Sequence, residues 1–275
     1  MKFEDMINTI QLGDCCELIK NIPDKSIDMV LTSPPYDELR NYNNSLNWNF
    51  EIFKKIANEL KRVLKENGVI IWVVNDSTTN GTESGTSFKQ ALYFKEIGLN
   101  LYDTMIYRKL NFMPLTHRRY EQEFEYMFCF SKGIPKTFNP IMEICKYGGT
   151  SASANVYKTD DDKLTSKGKY IVKDTKIKGN IFEYHTGSLY TGEWEHPAMF
   201  PLQLAIDQIN TWTNENEIVL DPFSGSGTTC LASKRLNRKY IGIEKVEKYY
   251  NMSKKRVNEM KANGQLSIFS NTKDL

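Results

Sequence analysis

Apolar and polar positions change rhythm several times along this chain, and each change predicts an element. Residues 9–12 read as a short strand ending at Gly13-Asp14, and residues 15–21 as a short helix. Residues 27–32 form an apolar run that predicts a buried strand, stopping at Ser33. From Trp48 to Leu64 the residues Phe50, Phe53, Ile56, Ala57, Leu60, Val63 and Leu64 recur at helical spacing and share a face. Asn67-Gly68 is the expected stop. The all-apolar run from there to Asn75 suits a parallel strand covered on both faces. A helix over 88–97 and strands over 101–107 and 124–130 follow. This strand–helix alternation predicts a doubly wound α/β sheet, mixed but mostly parallel.

The rhythm breaks between Ser131 and Tyr190. That stretch is rich in Lys, Gly, Ser, Thr and Asn, carries the acidic run Asp160-Asp161-Asp162, and has few apolar positions. It reads as an insertion or small irregular subdomain rather than more sheet. Helices over 200–212, 228–236 and 246–260 and strands over 217–221 and 240–244 then restore the pattern. The expected organisation is one catalytic domain from residues 1–132 and 191–262, an insertion over 133–190, and a tail over 263–275.

Composition adds limits. With 275 residues, 40% hydrophobic and 25% charged, the chain can bury a sizeable core. A net charge of +2 neither requires nor excludes nucleic acid, because local distribution outweighs the sum. The five cysteines contain no CxxC pair and the three histidines lie far apart, so neither a disulfide framework nor a zinc site is expected. A reducing, cytoplasmic compartment fits that usage. The first residues lack the basic-then-apolar order of a signal peptide, and no apolar run approaches membrane-spanning length.

Candidate chemistry sits at two corners. Asp221-Pro-Phe-Ser-Gly-Ser-Gly-Thr-Thr229 follows a predicted strand and opens a predicted helix. Gly225 and Gly227 permit positive φ and close approach of a ligand to the backbone, and the helix amides point into the same space. The next strand ends in Glu244, an acid placed to accept from a ribose diol. The lysine of a P-loop is missing, and Cys230 stands where a dinucleotide fingerprint has its third glycine. What survives is a nucleoside ligand without a pyrophosphate. The other corner is Thr32-Ser-Pro-Pro-Tyr36, where the buried strand ends on a stiff bend.

TSPPY together with DPFSGSGTT resembles the S-adenosylmethionine-dependent DNA amino-methyltransferases. The order, with the tetrapeptide first, an intervening recognition region and the glycine loop last, resembles their beta group. The resemblance spans roughly residues 8–260 and implies a class I methyltransferase fold, S-adenosylmethionine as cofactor and double-stranded DNA as partner. It places Asp14 at the cofactor's adenine and Glu244 at its ribose. His196, Pro197 and Phe200, within His-Pro-Ala-Met-Phe-Pro, fall at its methionine end, and Asp221, Phe223, Gly225, Gly227 and Thr228 in the glycine corner. The family includes dimers and members of restriction-modification systems, so both a homodimer and a companion restriction enzyme fall within its range.

The tetrapeptide then acquires a chemical reason. An exocyclic base amine is a poor nucleophile because its lone pair is delocalised into the ring. Attack on a sulfonium methyl requires it to pyramidalise and gather positive charge, which hydrogen-bond acceptors on its N–H bonds favour. Ser33 and Pro34 each precede a proline and are restricted twice over. We read the Ser33 side chain and the Pro34 carbonyl as those acceptors, Pro35 as part of the rigid frame, and Tyr36 as the platform that stacks on the base. The base must leave the helical stack to reach them, and in-line placement of amine and methyl supplies most of the rate. No metal is needed. In the family, Ser at the first position leans towards cytosine N4 and Asp towards adenine N6, so cytosine N4 is the expected target. Adenine N6 is the alternative within the class, and a non-catalytic DNA-binding regulator the alternative outside it.

Arg108, Lys109, His117, Arg118 and Arg119 flank the apolar Phe112-Met-Pro-Leu stretch and suit phosphate contact beside a flipped base. In the family's order the lysine-rich stretch over 132–178 occupies the target-recognition position. The tail segment Gln265-Leu-Ser-Ile-Phe269 resembles the short peptide by which bacterial proteins dock on the replication sliding clamp.

Overall fold

Eight apolar runs pair into one sheet. In chain order they are β1 (Thr9–Leu12), β2 (Ile27–Thr32), β3 (Leu64–Val74), β4 (Asn100–Lys109), β5 (Phe124–Ser131), β6 (Ile181–Tyr184), β7 (Ile218–Asp221) and β8 (Lys239–Glu244). The computed structural model describes residues 2–35, 48–112, 118–153, 156–158, 164–166, 168–186 and 201–259. Spatial order across the sheet is β1-β8-β7-β2-β3-β5-β4-β6. All pairings are parallel except those of β5, which runs against both β3 and β4.

Helices cover both faces. They are α1 (Phe3–Met6), α2 (Cys15–Leu18), α3 (Phe50–Val63), α4 (Thr86–Glu96), α5 (Leu202–Trp212), α6 (Thr228–Arg235) and α7 (Glu247–Glu259). The central strands need that cover: all six residues of β2 are buried, as are residues 68–74 of β3. One core layer joins Phe53, Ile56, Ala57 and Leu60 of α3 with Phe94 of α4 and Val30, Ile70 and Trp72 of the sheet. On the opposite face, Cys230 and Leu231 of α6 and Val257 of α7 pack with Ile10 and Tyr240. Trp72, fully buried, stands edge-on to Phe53 and Phe94, and its indole N–H donates to Gln90 at 2.8 Å, so this donor is not stranded in the core.

α3 begins at Asn49, whose side chain accepts from the Ile52 amide, and buries Phe53, Ile56, Ala57, Leu60 and Val63, as its periodicity predicts. Its end differs from expectation. The helix stops at Val63, before Asn67-Gly68, and the chain passes straight into β3. Pairing of β2 with β3 then jumps from Ile27–Leu64 to Met29–Val69, so residues 65–68 form a bulge. Asn67 takes φ +65° there. A Cβ on Gly68 would lie 2.9 Å from the Asp28 carbonyl oxygen. The pair serves the bulge, which uses the same residue types as a helix stop.

The polar middle also differs. Residues Pro140–Gly179 form a compact unit of their own, and the remainder of the chain forms the other. Within the smaller unit, Met142–Ile144 pairs with Thr175–Ile177, Ser151–Ser153 with Lys169–Ile171, and Val156–Lys158 with Leu164–Ser166, all antiparallel. These nested ladders make one long hairpin rather than irregular chain. The chain rejoins the main sheet earlier than the pattern suggested: β6 lies parallel to β4, with Ile181 opposite Ile106. Its four residues, with Phe182 alone buried, lie inside the polar stretch and are not set apart by an apolar run.

Candidate active site

The sheet order fixes where a ligand fits. From β2 the chain crosses through α3 to β3 on one side; from β7 it crosses through α6 to β8 on the other. The direction of winding reverses between β7 and β2, and the carboxyl ends at such a reversal open a crevice. Both sequence corners leave from those two strands. Ser33, Pro34 and Pro35 follow β2; the glycine corner follows Asp221, the last residue of β7.

A direct bond ties them. The Thr32 hydroxyl donates to Asp221 Oδ1 at 2.7 Å, and the Thr229 hydroxyl donates to the Leu31 carbonyl at 3.2 Å. Residues nearly 200 positions apart are thereby locked side by side. Asp221 Oδ1 also accepts from the Phe223 amide at 3.1 Å, which turns the chain into the corner. Complete burial pushes the Asp221 carboxyl up to about 6, against the opposing pull of the bonds from Thr32, Thr229 and the Phe223 amide. Ser33 is half-buried, and Pro34 and Pro35 are buried.

The glycine corner is held from its far side. Gly225 and Gly227 have φ of +49° and +76°. A Cβ on Gly227 would meet Ser253 of α7 at 2.9 Å, so this glycine is needed for packing as well as for conformation. The Thr228 hydroxyl lies within hydrogen-bond distance of Ser226 and Arg256, so its side chain is committed to the scaffold while its position opens α6. Phe223 sets its ring edge-on to Trp48, with centroids 5.3 Å apart.

Glu244 ends β8 with its carboxylate turned back to the corner. Oε2 accepts from the Gly225 amide at 2.7 Å and Oε1 from the Val246 amide at 2.8 Å. Burial raises this carboxyl, and the amides pull the other way. Asp14 follows β1 and caps α2, its Oδ1 accepting from the Cys16 amide at 2.9 Å while Oδ2 takes the Lys245 ammonium at 2.9 Å. Partial burial alone would raise Asp14; Lys245 and the Cys16 amide outweigh it and hold the carboxyl below its ordinary value. Because β1, β8 and β7 are neighbours, Asp14, Glu244 and Asp221 stand in a row along one sheet edge.

The donor set fits a nucleoside cofactor. Both Glu244 oxygens accept from backbone amides, and a carboxylate has lone-pair capacity beyond these, the acceptor type that a ribose hydroxyl requires. Gly225 brings backbone to the same place. Residues 27–255 match the profile of the N6/N4 DNA methylases. The chain belongs to this family of S-adenosylmethionine-dependent DNA amino-methyltransferases. It is 46% identical over 245 residues to the orphan methyltransferase M.BamHII of Bacillus amyloliquefaciens, covering 86% of this chain and 91% of that one. Its fold matches the M1.HpyAVI–SAM complex at TM-score 0.59 and 28% identity, over 90% of this chain and 98% of that one. PvuII DNA methyltransferase, described as cytosine-N4-specific, matches at TM-score 0.66 and 20% identity, over 92% and 86%. As a DNA amino-methyltransferase this protein uses S-adenosylmethionine and acts on DNA. No described helix is long and apolar enough to cross a membrane.

Tyr36, His196, Pro197, Phe200, His117 and the tail segment 265–269 lie outside the described residues. The basic stretch meets acids that its own sequence lacks. Arg108 pairs with Glu183 at 2.9 Å and Glu123 at 3.4 Å, and Lys109 pairs with the buried Glu125 at 2.7 Å. Arg119 reaches Glu83 at 3.5 Å and the Gly81 carbonyl. Sequence reasoning passed over Thr32, Lys245 and Trp48. The first two adjoin predicted site residues, which was the available signal; Trp48 was absorbed into a helical period.

Proposed function

We propose that this DNA methyltransferase modifies the N4 amine of a cytosine flipped out of duplex DNA, in a specific sequence context. Ser33 and the Pro34 carbonyl accept from the amine, Pro35 stiffens the bend and Tyr36 stacks on the base. The observation that carries this reading is the 2.7 Å bond from Thr32 to Asp221, which fastens the base-side bend to the cofactor-side corner. Ser33, rather than an Asp, at the first position of the tetrapeptide favours cytosine over adenine.

Bound S-adenosylmethionine supplies an electrophilic sulfonium methyl. Glu244 holds the ribose, Asp14 lies on the adenine side, and His196, Pro197 and Phe200 line the methionine end. Phe223 walls the pocket, and Asp221, Gly225, Gly227 and Thr228 shape the corner. Acceptors fixed before the base arrives require no reorganisation as charge grows on nitrogen, which is the advantage of a proline-locked bend. Arg108, His117, Arg118 and Arg119 contact the phosphates, Lys109 being held by Glu125 instead, and the 133–190 insertion, whose hairpin unit spans Pro140–Gly179, selects the sequence.

Unmethylated duplex DNA, incubated with the protein and labelled cofactor and then digested to nucleosides, tests the reading by mass. N4-methylcytosine is expected. N6-methyladenine in its place would move the target to adenine. Cofactor binding without any labelled nucleoside would support the non-catalytic regulator.

A further inference from the structure

At the carboxyl end of β3, the strand beside β2, Asn75 holds its carboxamide in a fixed orientation. Its Oδ1 accepts from the Asp76 amide at 2.9 Å. A backbone N–H can only donate, so the atom facing it is oxygen and the amide cannot be reversed. The same Oδ1 accepts from Gln122 Nε2 at 2.8 Å, where the chain approaches β5. Asp76 is itself anchored. Its Oδ1 accepts from the Ser84 hydroxyl at 2.9 Å and the Ser87 amide at 3.0 Å, and its Oδ2 accepts from the Ser87 hydroxyl. Asp76 is buried, Asn75 is half-buried and Gln122 exposed, so a clamped amide stands at the rim of the site.

The clamp engages only the oxygen. Asn75 Nδ2 keeps two N–H donors with no partner among the described residues. Pairing of β2 with β3 runs to Thr32–Trp72, and the same register carried onward sets Asn75 beside Pro35. Asn75 therefore follows the strand next to the one that leads into Ser33 and Pro34, at the same carboxyl end of the sheet. Cytosine presents amine, N3 and O2 along one edge: a donor group followed by two acceptors. Acceptors on β2 and a paired donor on β3 are the complement. Adenine offers N1 but a C–H where cytosine has O2, so it presents the amide with one acceptor where cytosine presents two.

We propose that Asn75 is a specificity-determining residue that donates through Nδ2 to the N3–O2 edge of the flipped cytosine, with Gln122 as the positioning residue that holds it. The inference rests on the reading of Ser33 and Pro34 as the amine acceptors. Asn75→Asp keeps an oxygen for the Asp76 amide and replaces the donors with a second acceptor. Its kcat/KM on unmethylated duplex DNA should fall ~10- to 100-fold, with melting temperature and cofactor affinity unchanged. Gln122→Ala frees the carboxamide to swing and should raise KM for DNA several-fold with less effect on kcat. N4-methylcytosine from the unaltered protein together with Asn75→Asp within threefold of its rate would overturn this inference alone. N6-methyladenine from the unaltered protein would contradict the cytosine assignment and this inference together, and no transfer at all would remove the methyl-acceptor reading on which both stand.

Discussion

Asp221 and Glu244 at the glycine corner are acids with almost no water around them, while Arg108 and Arg119 at the basic rim are bases whose acidic partners are themselves exposed. Asp221 and Glu244 are 1% and 8% exposed, and their oxygens are taken up by hydroxyls and backbone amides. The Arg108 side chain is 46% exposed, and its partners Glu183 and Glu123 are 47% and 38% exposed. Desolvated groups held by several hydrogen bonds set geometry and are costly to disturb. Exposed ion pairs hold little energy and exchange readily. A cofactor pocket needs the first kind of construction. A surface that must trade its acids for phosphates needs the second.

The largest expected effect lies where the rigid corner meets the base. On the proposed reading of Ser33 as an amine acceptor, Ser33→Ala removes one acceptor from the developing positive charge. Methyl transfer should fall ~10²- to 10³-fold, the range for losing one preorganised hydrogen-bonding group in a transition state. Cofactor affinity should stay at its original value, because Ser33 follows β2 and Glu244 ends β8, two strands away. Tritiated methyl transfer and cofactor titration separate the two readouts. A matching loss in both would place Ser33 in the cofactor site instead.

Asp221 offers a test of the buried side through pH. Its carboxyl is raised from 3.8 to about 6 by burial. The folded protein therefore holds the proton more tightly than the unfolded chain. The stability this contributes is fully present below pH 3.8 and is lost as pH rises through about 6. Asp221→Asn keeps an acceptor for the Thr32 hydroxyl and the Phe223 amide but cannot ionise. The stability of the natural protein relative to this variant should fall by about 3 kcal/mol across that window. Denaturant unfolding at several pH values reads it, and a flat difference would show that the corner is wetter than its burial indicates.

Lys109 sharpens the comparison because it belongs to the basic stretch but not to its chemistry. Its side chain is 17% exposed and its partner Glu125 is 8% exposed. Lys109→Gln removes the cation from a buried carboxylate and should cost ~2 kcal/mol of stability, below the full penalty of a completely buried pair because the lysine retains some water. Thermal or denaturant unfolding measures it.

These contrasts explain which parts were legible in the chain. Periods long enough to repeat announced themselves: α3, the buried runs of β2 and β3, and the strand-turn-helix at Asp221. β6 did not, because its four residues lie inside the polar stretch between Ser131 and Tyr190, where Phe182 alone is buried and no apolar run sets them apart. Asn67-Gly68 misled because a helix stop and a bulge ask for the same left-handed backbone. The two corners were readable because each is a contiguous string with its own chemistry. The bond that joins them was not, since it links Thr32 to Asp221 through strand order alone. The rim was least legible: Arg108, Lys109 and Arg119 look free in sequence, and their acids arrive from Glu83, Glu123, Glu125 and Glu183 by folding.

The smallest effect on stability is expected at Arg108, and it separates a phosphate contact from a structural pair. Arg108→Gln breaks two exposed ion pairs, so unfolding free energy should change by less than ~1 kcal/mol. Binding to duplex DNA should weaken at low salt, and the slope of log affinity against log salt should shrink by about one, the counterion contribution of a single phosphate. Neutralising Glu183 by Glu183→Gln should act in the opposite direction, because Arg108 then reaches DNA without first giving up that partner. If Arg108→Gln leaves the salt slope unchanged, Glu183 and Glu123 keep this guanidinium in the complex as well. The phosphate contacts would then fall to the remaining basic residues of the stretch.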